Sequence, residues 1–394
     1  MIAVMRSLGR AGYRPHALSA KTDALGFKSR YAFRKAVHPD YGDGEFVAWL
    51  RDYVASHPVR AIVPGESFLN LVGDYYSEFE ALLPDPVTRA TRERCLSKAQ
   101  VWDCLSADAT AAKFMPLSGN LDSAESVALL IKSAPADTIY YLKPDWEFSK
   151  ADHGRPRVVR VDSLAGLHNA ANECLEMYSK VHWQQHVSGL QVGVSLWREG
   201  GEFHAENMVI GRHTYPHRAG NMSLRESWWH EGILDDAKTK LEALDWSGVA
   251  MMEYVWNPDD DEFWFIEINP RYWGYLHLDL ACGKDFPKWQ IDAHFGRASK
   301  SLGPPAEPAT MRYVAPGEII HVASRCLDRE VPIVGKLKSV LEFALLGVNP
   351  KVRADLWFAG DKRMYLFGWI RFFKELPAKL AKAMRRAGTQ SRQH

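Results

Sequence analysis

Apolar positions recur at helical spacing over residues 3–10, where the pattern closes at Gly12, and again over 45–56, 67–82, 92–105, 125–133 and 165–178. Between these lie short apolar runs at 15–20, 61–64, 139–144, 157–161, 183–187 and 191–197, which predict strands. Helix and strand alternate through the first ninety residues, as a parallel sheet with helical crossovers requires. The chain begins inside a helix, where a βαβ unit would open with its first strand; the expectation is a start further upstream, or a strand lost. The most telling pattern is MEYVWNPDDDEFWFIEINPRYWG, residues 252–274. Two apolar runs, 249–256 and 263–268, flank the turn chemistry of Asn257-Pro258-Asp259-Asp260-Asp261, which predicts a β-hairpin. A turn centred near residue 260 sets Glu253 opposite Glu267, give or take a residue.

Two carboxylates facing each other across a strand pair repel. Inside apolar strands they need a shared proton or a cation. Glu267 and Asn269 share a face, about 6.5 to 7 Å apart along the strand, so three sets of oxygens converge. Hard oxygen ligands suit Mg²⁺. A surface hairpin with solvated acids is the plainer alternative, and the apolar strands and Arg271 weigh against it.

Composition narrows the classes. The 394 residues are 46% hydrophobic and 12% aromatic, enough for two or three domains. Forty-nine basic against 48 acidic residues give a net charge of +1, with no global footprint for nucleic acid. Cys95, Cys104, Cys174, Cys282 and Cys326 form no CxxC pair, which points to a reducing, cytoplasmic setting. The first residues carry no apolar signal region, and no apolar run reaches membrane-spanning length. No G-x-G-x-x-G follows a strand, which leaves a dehydrogenase reading without support.

EINPRYWG after an apolar strand bearing a glutamate resembles the metal-binding signature of the ATP-grasp superfamily, in the branch near carbamoyl phosphate synthetase and biotin carboxylase. The resemblance runs from about residue 1 to about 295 and is most specific at the hairpin. It implies an α/β (α+β) chain: an N-terminal Rossmann-like preATP-grasp domain at 1–92, ATP-grasp subdomains at 93–180 and 181–300, and a C-terminal region at 301–394. It also implies that Glu253, Glu267 and Asn269 hold Mg²⁺, or Mn²⁺ in its place, on ATP phosphates, with Arg271 steadying the transferring phosphate. Lys143, ending a strand before Pro144, falls where the family places a phosphate-binding lysine. Lys98 matches a second such lysine or lines a solvated helix face. Gln184-Gln185-His186-Val187-Ser188-Gly189 resembles the adenine hinge, with Gln185 and Val187 as main-chain contacts. Gln185 stands where the family has Glu, which puts ribose contact and the choice of ATP over GTP in question. The loop at 145–157 has Gly154 with Lys150, His153 and Arg155 in place of a Gly-rich lid; it is a cationic cover or a plain surface loop. Arg212, His217 and Arg218 fall where relatives place basic residues facing an acyl phosphate. The scattered histidines, His204 and His213 included, lack a zinc spacing.

The expectation is an ATP- and Mg-dependent ligase that activates a small-molecule carboxylate as an acyl phosphate and couples it to an amine. Two alternatives stay open: an inactive nucleotide-binding sensor or scaffold, and a peripheral membrane factor in surface-glycan synthesis. The tail at 362–386 speaks for the second, since it interleaves Tyr365, Phe367, Trp369, Phe372 and Phe373 with Arg371, Lys374, Lys379, Lys382, Arg385 and Arg386. Such a segment lies on an anionic membrane at the inner surface or docks on the core by its aromatics. Pro377 is expected to break it as a single helix. The sequence names neither substrate nor oligomeric state.

Overall fold

The computed structural model describes residues 1–41, 44–135, 138–145, 148–150, 157–218, 220–297 and 308–390, the last thirteen as main chain only. Helix α1 (Ile2–Arg10) leads into a two-stranded parallel sheet of β1 (His16–Ser19) and β2 (Arg34–Val37), followed by α2 (Phe46–Ser56), α3 (Glu66–Val72) and α4 (Tyr76–Phe79). The strand expected at 61–64 does not form: the segment is extended, but the Ile62 N–H bonds to the Leu82 carbonyl in place of a ladder. Its neighbour, the helix expected at 67–82, is broken into α3, α4 and single 3₁₀ turns.

The helix expected at 92–105 is two helices, α5 (Arg89–Leu96) and α6 (Lys98–Ser106). Ser97 divides them, its hydroxyl accepting from the Gln100 N–H as an N-cap. A four-stranded antiparallel sheet follows, ordered β3-β6-β4-β5, from β3 (Ser118–Leu121), β4 (Tyr140–Pro144), β5 (Val159–Val161) and β6 (Val181–Gln185). It extends past residue 180, because β6 pairs with both β3 and β4. α7 (Ala124–Ser133) and α8 (Leu164–Met177) cover one face, packing on Tyr140, Leu142, Val181 and Trp183. Side chains alternate across a strand, so Lys143, His182 and Gln184 point from the other face.

The largest sheet has seven strands, ordered β11-β10-β7-β8-β9-β12-β13. They are β7 (Leu190–Glu199), β8 (Glu202–Tyr215), β9 (Asn221–Ser227), β10 (Gly248–Trp256), β11 (Phe263–Asn269), β12 (Thr310–Arg312) and β13 (Val352–Ala354). The C-terminal region is therefore built into this sheet through β12 on β9. One sheet face buries Val194, Leu196, Met252 and Tyr254 under α5, α6 and α9 (Glu231–Ala243). The other buries Trp197, Val249 and Met251 under α1, α10 (Leu276–Ala281) and α11 (Phe286–His294). Helices α12 (Ile319–Leu327), α13 (Ile333–Val348) and α14 (Arg363–Gln390) complete the chain. α14 runs on through Pro377 where a break was expected. Proline costs one helical hydrogen bond, and the aromatic clusters of Trp369 with Phe372 and Phe373 hold the turn before it. Among the described residues no helix is long and apolar enough to cross a membrane.

Candidate active site

β10 and β11 pair as the alternation predicts, with Glu253 directly opposite Glu267 and Met251 opposite Asn269. Past that pair the register slips, Tyr254 meeting Phe265, so Ile266 is the extra residue of a bulge. A bulge re-aims neighbouring side chains, and here it lies beside the two acids. Asn269 Nδ2 donates to Glu267 Oε1 at 3.1 Å, which ties two of the three oxygen-bearing groups together. On the far side of β10, Glu253 meets Gly193 of β7. A Cβ at Gly193 would stand 2.1 Å from the Tyr275 hydroxyl, so glycine lets the ring of Tyr275 lie against the acids.

The four-stranded sheet supplies the opposing wall. Lys143 is buried, and its Nζ donates to Gln184 Oε1 at 2.6 Å. Burial lowers the ammonium pKa, while the fields of Glu267 and Glu253 push it back up. The carboxyl of Glu253 moves the opposite way. Burial and the facing Glu267 push it up to about 8, against the pull of Lys143. Burial and the facing carboxylate thus favour the protonated form of Glu253. Gln184 Nε2 is buried, with no hydrogen-bond partner among the described residues. An orphaned donor next to a lysine suits an anion arriving from outside.

Lys98 opens α6, where its Nζ lies 3.7 Å from Asp145 Oδ1. Asp145 also accepts from Ser97 Oγ at 3.1 Å and from the Ala99 N–H at 3.0 Å. Burial raises the Asp145 pKa, and Lys98 and these donors oppose the rise. His182 is buried next to both lysines, and burial, Lys143 and Lys98 hold it well below its ordinary pKa. Its Nδ1 lies 3.1 Å from Asn120 Oδ1. Arg271 reaches from the end of the hairpin to Glu66 Oε2 at 2.6 Å, bringing the N-terminal domain to the site. Sequence reasoning passed over Asp145, His182, Glu66 and Tyr275. Only Asp145, two residues after Lys143, left a readable signal.

Some expected residues stand elsewhere. Arg212 lies on β8, two strands from β10, in an exposed ion pair with Glu226 at 2.9 Å. Arg218 pairs with Asp328 and Glu330, and His217 lies 3.7 Å from Asp328. His213 stacks on His321 at 4.2 Å and meets Glu318 at 3.2 Å. These basic groups are neutralised by acids of β9 and of the C-terminal region, which no reading of 204–218 alone could supply. In the hinge, the Gln185 N–H is taken by the Leu117 carbonyl and the His186 N–H by that of Ile139, each at 2.8 Å. The main-chain N–H of Gln185 is therefore already engaged. His153, Gly154 and Arg155 lie outside the described residues.

No family model matches the sequence, and no curated protein does. Solved structures do. L-amino acid ligase from Bacillus licheniformis is 15% identical with a TM-score of 0.57, over 78% of this chain and 75% of that one. The ADP complex of an N5-carboxyaminoimidazole ribonucleotide synthetase is 13% identical with a TM-score of 0.60, over 88% of this chain and 94% of that one. The biotin carboxylase domain of Hydrogenobacter thermophilus 2-oxoglutarate carboxylase, solved with MgADP and bicarbonate, is 15% identical with a TM-score of 0.60, over 78% and 71%. Shared with these proteins over 78–88% of its length, the architecture of this chain is the ATP-grasp fold.

Proposed function

We propose that the protein is an ATP-dependent ligase that activates a carboxylate as an acyl phosphate and joins it to an amine, releasing ADP and phosphate. The observation that carries this reading is Glu253 and Glu267 face to face, with Asn269 on the same side and Lys143 opposite. The donor set fits Mg²⁺: hard oxygens only, with two carboxylates face to face. Bound by Glu253, Glu267 and Asn269, Mg²⁺ would neutralise charge on the β- and γ-phosphates. Lys143 and Lys98 then hold phosphate oxygens as point charges, and Arg271, steadied by Glu66, faces the transferring group. A substrate carboxylate oxygen attacks the γ-phosphorus as the β–γ bridge to ADP breaks. The amine then attacks the acyl carbon, forms the C–N bond and expels phosphate. The amine acceptor is taken from what the fold's relatives named above do. Manganese is a second metal for the same oxygens.

ADP release across pooled carboxylates and amines, with mass spectrometry of the product, tests the proposal. Turnover should vanish in Glu267→Gln while its circular dichroism stays that of the wild type. Wild-type turnover in that variant would refute the metal assignment. One observation favours a second reading, a nucleotide-binding sensor without turnover: the hinge lacks the family's Glu, and two of its N–H groups are already engaged. MgATP binding with no ADP release from any pool would support it. The free cysteines, none of them bridged, fit the cytoplasm.

A further inference from the structure

Helix α13 is turned inside out. Ile333, Val334, Leu337, Leu341, Leu345 and Val348 are each between 57% and 80% exposed. At 3.6 residues per turn these six fall within an arc of about 120°. The opposite face, of mixed character, turns to the protein. It sets Ser339 in the interior, reaches His213 through Glu342, and lays Phe343 under the Arg312 guanidinium. A surface helix ordinarily buries its apolar stripe and solvates the other side. Here the protein takes the mixed side, and the wholly apolar side is left for another medium.

Charge selects that medium. Lys336 and Lys338 stand on either edge of the arc, and neither enters an ion pair among the described residues. These lysines give the face a positive border that an anionic surface complements. Anionic headgroups would pair with them while acyl chains cover the arc. At 16 residues the helix is about 24 Å long, short of the roughly 30 Å needed to span, so it lies in the plane. The next helix repeats the chemistry, with Leu366, Ile370 and Phe373 exposed at helical spacing beside Lys374.

We propose that the exposed face of α13 docks the protein on an anionic lipid bilayer, with the ligase site kept on the aqueous side. This goes beyond the ligase reading and stands without it. It also differs from the expectation based on the tail alone, since the widest apolar face belongs to α13.

The test is flotation of the full chain with vesicles of phosphatidylcholine alone and of phosphatidylcholine mixed with phosphatidylglycerol. Wild-type protein should float with the mixed vesicles and bind phosphatidylcholine alone at least about tenfold less. Leu337→Glu with Leu341→Glu, both at exposed positions, should keep the thermal midpoint and lose binding about tenfold or more. Lys336→Glu with Lys338→Glu leaves the apolar arc whole and should lose a similar factor on anionic vesicles only. Three results would overturn the proposal. One is equal flotation by the leucine pair. Another is wild-type protein that stays unbound on both vesicles. The third is a dimer in sedimentation velocity that the leucine pair dissolves, which would assign the face to a second copy.

Discussion

Glu253 should exchange a proton for a metal ion, and the exchange can be counted. With its pKa at about 8, the carboxyl holds a proton in about nine molecules of ten at pH 7, half at pH 8 and about one in ten at pH 9. Mg²⁺ needs the carboxylate, so its binding must expel that proton. Titrating Mg²⁺ into the protein with ADP, in two buffers of different ionisation enthalpy, should register net proton release near neutral pH that fades as the pH rises past about 8. The apparent affinity should rise about tenfold, or about 1.4 kcal/mol, for each pH unit from 6 to 8 and then level off. In Glu253→Gln the release should disappear and the affinity collapse. Stability of the metal-free protein gives an independent check on sign. Below the ordinary carboxyl pKa near 4.5 the group is neutral in both states and costs nothing. As pH rises, the unfolded chain sheds its proton first, so the folded protein loses stability up to about pH 8. Excess EDTA should expose that slope, and Glu253→Gln should flatten it. Proton release unchanged in the variant, or absent from the wild type at pH 7, would refute the account of a protonated Glu253.

Lys143→Met should weaken ADP binding at least about tenfold and cost about 1–3 kcal/mol in urea unfolding, because Gln184 Oε1 loses its donor in a buried place. Arg212→Ala removes an exposed ion pair with Glu226, so stability should change by less than about 1 kcal/mol and ADP release by about twofold at most. A hundredfold fall would return Arg212 to the reacting phosphate. Asp279 accepts from Asn207 at 2.7 Å and from Trp273 at 2.6 Å in the interior, so Asp279→Ala should destabilise by about 3 kcal/mol near pH 6. Burial pushes the Asp279 pKa to about 7, so the wild type loses stability between about pH 4 and 7, and the gap to the variant should narrow over that range and level off above it.

What could be read before the fold was known depended on whether the deciding partner lay nearby in sequence. Glu253 and Glu267 were legible because one turn separates them, and strand alternation fixes which residues face. The bulge at Ile266 was not, since either strand can absorb an extra residue. Lys98 looked like a mid-helix residue because the apolar spacing runs on across Ser97. A serine that caps a helix reads the same as one that decorates it until the chain turns there. Arg212, His217 and Arg218 showed the reverse difficulty. Their basic character was plain, but the acids that claim them lie up to 112 positions along the chain. The run at 61–64 has the composition of a strand and lacks the pairing that would make it one. Helix α13 was the deepest case, because an apolar helix in a sequence reads as core, and only its surroundings show the apolar side facing out.

The arrangement of charge at the site argues that metal and phosphate enter together. Lys143, Lys98 and Arg271 bring three positive charges, and Glu267, Asp145 and Glu66 answer them, with Glu253 neutral near pH 7. The pocket is thus close to balanced when empty. Mg²⁺ alone would displace the Glu253 proton and add net positive charge beside a buried lysine. Phosphates alone would meet two lysines, but also the facing acids. A magnesium–nucleotide pair adds cation where the acids converge and anion where Lys143, Lys98 and the orphaned Gln184 amide point. Each half relieves the repulsion that the other half would meet.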